Sequence, residues 1–77
     1  MKVNKEELKK IIAEVLEIET EELDDDADFN KDLAANSLQI LDMIAEIEDT
    51  YDLNIDPQKV REMSTVNKII DALEKYE

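Results

Sequence analysis

Apolar residues in this chain recur at three- and four-residue spacing inside segments that open with a capping side chain, which restricts the fold to packed amphipathic helices. Asn4 stands as a cap, Glu7 occupies the capping-box position, and Leu8, Ile11, Ile12, Val15 and Leu16 share one helical face. This predicts a first helix ending at about Glu17. Thr65 precedes Val66, Ile69, Ile70 and Leu73, predicting a last helix that reaches the C-terminus. Asp56-Pro57 is a cap followed by proline at the first helical position, so a third helix of about two turns should start there and carry Val60 inward. Asn36 and Gln39 form a further capping box, and the apolar pattern behind them continues through Tyr51.

That second helix has two apolar stripes. At about 100° per residue, Ile40, Met43, Ile44, Ile47 and Tyr51 centre on one face, and Leu38, Leu41 and Ala45 on another roughly 140° away. Such a helix has more than a bundle core to touch. Asp42 and Asp49 edge one side of the Leu38, Leu41 and Ala45 stripe and Glu48 edges the other. An apolar strip bordered by acids suits a transient interface, in which charge steers a basic partner in and a small apolar contact holds it. The bland alternative is a solvated acidic face whose leucines pack on the long connection.

The connection from Ile18 to Asn36 exceeds the ~12–15 residues usual for a structureless loop, so it must be pinned, and Leu23, Phe29 and Leu33 can do this. The chain has no repeat, no glycine and one proline. Residues 1–77 therefore read as a single domain, near the lower end of what one core can stabilise and too small for a deep enclosed active site.

Chemistry is limited by what is missing. Without Cys, His or Trp, the chain lacks the usual thiol nucleophile, general base and zinc ligands, so neither an enzyme nor a metal site is expected. Twenty-two acidic against nine basic residues give a net charge of −13, which excludes nucleic acid held by phosphate contacts and favours basic partner surfaces. No apolar stretch approaches a membrane span, so a monomer in the cytoplasm or an equivalent soluble compartment, without membrane insertion, is expected. Asp24, Asp26 and Asp28 fit the first positions of a calcium-binding EF-hand loop, but Phe29 falls where that loop needs glycine and Ala35 where it needs a bidentate glutamate. Loose screening by divalent cations is left. Crowding of these carboxylates should raise their pKa values, so mild acidification should first stabilise the fold.

Ser37 opens the second helix in Ala34-Ala35-Asn36-Ser37-Leu38. Its hydroxyl should lie near solvent, beside unpaired amide groups and the positive end of the helix dipole, where a phosphate ester would be stabilised. Alone, such a serine is as well read as a cap or first-turn residue. The setting adds weight: a pinned loop before it, a two-striped acidic helix after it.

Over nearly its whole length the chain resembles bacterial-type acyl carrier proteins. The resemblance is carried by Glu21-Glu22-Leu23, by Phe29 with Asp32-Leu33, by Ser37-Leu38, by Glu46-Ile47-Glu48-Asp49, by Ile55 and by Ser64-Thr65-Val66. It implies an all-α four-helix bundle of acyl carrier protein type, with a long first loop and a short third helix. It also implies a 4'-phosphopantetheine arm moved from coenzyme A onto Ser37 by a phosphopantetheinyl transferase, with Asn36 and Leu38 beside the attachment point. Acyl groups would ride on the arm as thioesters to fatty-acid-synthesis-type enzymes with basic docking patches. By the same resemblance the partner-binding residues are Leu38, Leu41, Asp42, Ala45, Glu48 and Asp49, and acyl chains would lie near Ile44, Ile47, Ile55, Val60 and Met63. The family's hallmark is Asp-Ser-Leu, often after glycine and alanine; here Asn36 replaces the aspartate, Ala34 the glycine, and Gln39 a frequent acid. A specialised carrier for an amino-acid or polyketide pathway is the alternative within the class. An unmodified acidic interaction or cation-binding helical protein is the alternative outside it.

Overall fold

The computed structural model describes residues 2–75. Four helices follow in order: α1 (Lys5–Leu16), α2 (Ser37–Tyr51), α3 (Pro57–Val60) and α4 (Val66–Glu74), and no strand occurs among the described residues. The fold is the all-α bundle expected, with α1 packed on α2 and α4.

Each helix begins where a side chain can take an otherwise unpaired backbone N–H. Asn4 accepts from Glu7, Asn36 from Gln39, Asp56 from Gln58 and Thr65 from Lys68. Helix ends normally favour glycine, because the chain there turns into the left-handed region. This chain has none, so Glu17 (φ 59°) closes α1 and Asp52 (φ 52°) closes α2. The Ile18 N–H then returns to the Ala13 carbonyl at 3.0 Å and the Leu53 N–H to that of Glu48 at 3.0 Å. The third helix is shorter than expected: regular structure stops at Val60, and turn bonds from Glu62 to Lys59 and from Met63 to Val60 take the chain onward. α4 reaches Glu74 with Lys75 at its cap, and the rest of its expected run to the C-terminus lies outside the described residues.

The core combines Leu8, Ile12 and Leu16 of α1, Met43, Ile44 and Ile47 of α2, and Val66, Ile69 and Leu73 of α4 with residues from the connections. Leu23 and Phe29 of the long connection are fully enclosed and Leu33 packs partly against them, so the three residues expected to pin the loop do so. A single 3₁₀ turn at Thr20–Glu22 interrupts the connection, which the apolar pattern did not signal. Tyr51 packs half-buried on this core, and its phenol pKa is pushed up by burial and then by the Glu7 carboxylate.

The aspartate run is part of this pinning. Asp25 pairs with Lys9 at 2.9 Å and Lys5 at 3.1 Å, tying the loop to α1. Its carbonyl accepts the Asn67 N–H at 3.1 Å, while the Asn67 side chain donates to Asp26 at 2.7 Å, tying the loop to α4. Asp24 accepts the Asp26 N–H, and Asp28 accepts those of Asn30 and Lys31. The carboxylates thus turn to separate partners, and no group of three or more potential metal ligands converges among the described residues.

At Asp25 and Asp28 this corrects the expectation that crowding raises the carboxyl pKa. The Lys9 and then the Lys5 ammonium groups hold Asp25 below its ordinary value of 3.8, and the Asp25 carboxylate raises Lys9 in turn. The Lys31 and Asn30 backbone N–H groups lower Asp28. A depressed carboxyl pKa contributes stability that is present above the unfolded value and lost as pH falls through the folded one, so these groups oppose any stabilisation by acid. We expect Asp25→Asn to lower stability at neutral pH by about 0.2–1 kcal/mol, the range of exposed ion pairs. It should also flatten the fall in melting temperature below about pH 4. Thermal melts of both proteins across that range measure it.

Candidate functional site

The loop delivers Ser37 through a short chain of backbone constraints. The Phe29 N–H donates to the Ser64 carbonyl at 2.9 Å, and the Phe29 carbonyl accepts the Ala35 N–H at 2.8 Å. Asn30 Nδ2 donates to the Ala35 carbonyl at 3.0 Å, and the Ala35 methyl is buried in the core. Ala34 makes the turn with φ 57°, in the left-handed region. Asn36 leaves it extended and starts α2.

Asn36 and Gln39 cap each other's backbone. The Gln39 N–H donates to Asn36 Oδ1 at 2.9 Å, and the Asn36 N–H donates to Gln39 Oε1 at 3.0 Å. Because Asn36 is the cap, Ser37 is not. It is the first residue of the helix and its side chain is exposed. The N–H groups of Ser37 and Leu38 precede any intrahelical acceptor, and the first turn of α2 holds no acid to offset the dipole. A phosphodiester on this hydroxyl fits the donors around it, and the chain has neither cysteine nor histidine.

Beyond Ser37 the second stripe of α2 faces outward. Leu38 and Leu41 are 67% and 60% exposed, the most open large apolar residues among those described, and Asp42, Ala45 and Asp49 are exposed further along the same helix. The leucines therefore do not pack on the long connection. Glu48 differs from the other predicted contacts: it is half-buried, and its Oε2 accepts the Ile55 N–H at 2.8 Å, so it anchors the segment after α2. Ala45, Glu48 and Asp49 line an open depression with Asp52, Leu53 and Asn54, which Leu38, Leu41 and Asp42 do not join. Ile44, Ile47, Ile55 and Met63 are core residues with Val60 packed against them.

The family model for a phosphopantetheine attachment site matches residues 6–73. The chain belongs to the acyl carrier protein family. It is similar to an acyl carrier protein of Buchnera aphidicola subsp. Acyrthosiphon pisum, 39% identical over 75 residues, covering 97% of this chain and 94% of the relative. An acyl carrier protein of Phaeodactylum tricornutum is 31% identical over 75 residues, covering 97% and 99%. One of Syntrophus aciditrophicus is 34% identical over 68 residues, covering 88% and 85%. Acyl carrier proteins bear a covalently attached 4'-phosphopantetheine and work with acyl-processing enzymes; they are carriers, not enzymes. No described helix of this carrier is long and apolar enough to cross a membrane.

Several residues that hold the site escaped sequence reasoning. Asn30, Ser64 and Asn67 act through pairings with distant segments, for which a one-dimensional apolar pattern has no signal. In the sequence Ala34 stands out only as a departure from the family's glycine, and its φ of 57° explains why glycine suits the position. A Cβ in the left-handed region costs about 1–2 kcal/mol, and glycine recovers part of this while adding unfolded-state entropy. We expect Ala34→Gly to stabilise the carrier by about 0.5–1 kcal/mol in a denaturant titration, with no change in Ser37 exposure.

Proposed function

We propose that Ser37 is the residue that bears the arm, and that this chain delivers acyl groups to fatty-acid-synthesis-type enzymes. The observation that carries this is the separation of capping from display at the start of α2: Asn36 holds the helix end, leaving the Ser37 side chain exposed at the positive end of the dipole. In the attachment step the Ser37 Oγ bonds to the phosphorus bearing the pantetheine of coenzyme A. The pyrophosphate bond breaks to release the adenosine bisphosphate, and the hydroxyl proton passes to a base on the phosphopantetheinyl transferase. The arm supplies a terminal thiol on which an acyl group is held as a thioester. The chain's own lack of cysteine leaves no competing thiol for exchange.

For docking, the reading assigns the exposed Leu38, Leu41 and Ala45 strip with Asp42 and Asp49 to basic patches on the transferase and acyl-processing enzymes. Glu48 contributes by holding the α2 terminus to Ile55 as well as by its charge. Residues 1–77 act as one monomeric carrier domain in the cytoplasm.

Incubation with coenzyme A and a broad-specificity transferase should add one phosphopantetheinyl mass, and Ser37→Ala should abolish it while leaving the helical circular dichroism intact. Modification that persists in the alanine variant would refute the assignment. Asp42→Lys or Asp49→Lys should slow modification several-fold at low salt and less at high salt, because exposed charges are screened. Asp71→Lys, on α4, serves as the control for net charge, and an equal effect there would remove the docking role of α2.

A further inference from the structure

Cations are segregated in this chain. None stands between Lys31 and Lys59, a stretch with seven acids, and four of the nine gather in residues 59–75 against three acids there. The later stretch thus has an excess of cations in a chain of net charge −13.

The fold brings three of these four cations to one place. Lys68 and Lys75 lie two turns apart on the same side of α4 with the small Ala72 between them, and Lys59 of α3 joins them in lining a cleft of about 340 Å³. All three lysines are exposed. Glu62 and Asp71 line the same cleft, yet among the described residues no ion pair joins them to these lysines, and Lys68 reaches only Ser64 Oγ at 3.5 Å. Lys5 and Lys9, by contrast, are both taken up by Asp25.

A cleft with an excess of ammonium groups accepts a carboxylate, and the rest of the surface limits where that carboxylate comes from. A protein that is acidic overall is repelled by a carrier of net charge −13, and so is a second copy. A protein drawn to the acidic α2 strip by a basic patch is already close, within the Debye length of about 8–10 Å at which local charges decide. The carrier measures 30 × 23 × 19 Å, so one docking face of ordinary size meets more than one of its elements.

We propose that the cleft between α3 and α4 is a second docking contact, opposite in sign to the α2 strip, which takes a carboxylate from the same acyl-processing enzymes. This rests on α2 being the docking strip. One strip attracts a partner but leaves rotation about the contact open. A second contact of opposite sign fixes the register in which Ser37 is presented, and disfavours basic surfaces that lack the carboxylate.

The test uses the modified carrier and an acyl-loading enzyme from the organism that encodes it. Lys59→Glu/Lys68→Glu makes the carrier more negative, so attraction by net charge alone would speed loading by a basic enzyme at low salt. The expected result is the reverse: kcat/KM falls several-fold, and Lys59→Gln/Lys68→Gln lowers it less. Both positions are exposed, and helical circular dichroism verifies that the variants fold. Asp71→Lys, which adds a cation to the cleft, should not slow loading. Carbodiimide, which joins an amine to a carboxylate in contact, should link Lys59, Lys68 or Lys75 to an Asp or Glu of the enzyme. Unchanged or faster loading of the glutamate variant, cross-links to the enzyme through carrier carboxylates only, or links from these lysines to a second carrier would each overturn the proposal. Asp42→Lys separates the two readings. If it leaves loading unchanged, the α2 strip itself fails; if it slows loading while the lysine variants do not, only the cleft contact is lost.

Discussion

Phe29 joins most of what this structure does. Its ring is fully enclosed in the core, its N–H reaches the Ser64 carbonyl just before α4, and its carbonyl receives the N–H of Ala35 just before α2. Burying a phenyl ring of this kind is worth roughly 3–5 kcal/mol by the cost of its truncation, a large share of the stability of so small a domain. The same residue therefore fixes a long connection and aims the helix that displays Ser37. Loop, site and last helix share one anchor.

Charge is organised in two ways on the two sides of that anchor. In the loop, the aspartates are internal fasteners: Asp25 to Lys5 and Lys9, Asp26 to Asn67, Asp24 and Asp28 to nearby backbone N–H groups. Along α2, Asp42 stands exposed next to Leu38 and Leu41, and Asp49 stands exposed about two turns beyond Leu41. The first set ties the loop to α1, to α4 and to its own backbone, and these partners hold the Asp25 and Asp28 carboxyls below their ordinary value. The second set contributes little to folding and sustains a negative field at an apolar strip, which is what steering of a basic partner requires.

α2 combines three tasks because a helix can separate them by face and by end. Met43, Ile44 and Ile47 serve the core, Leu38, Leu41 and Ala45 face solvent, and the Asn36 and Gln39 box governs the first turn. Glu48 sits at the boundary, where a residue expected to meet partners also closes the protein's own segment at Ile55. A site placed on a capped helix is held more rigidly than one on a loop, and here the preceding loop is itself nailed to the core.

The sequence by itself determined the four helices, their caps and the two faces of α2, because capping and helical period are local and depend on residues three or four apart. It also determined that Ser37 would open α2 and that reactive chemistry must come from elsewhere, since composition alone excludes a thiol or imidazole. The end of α3 at Val60, the turn at Thr20–Glu22 and the partners of each aspartate were decided by tertiary structure. Lys5 and Lys9 meet Asp25, and Asn67 meets Asp26, across sequence separations at which only packing can reveal a pair. The left-handed turn at Ala34 belongs to the same class: without glycine to mark it, the strain is visible only once Ala35 is drawn into the core and Asn36 must begin the helix.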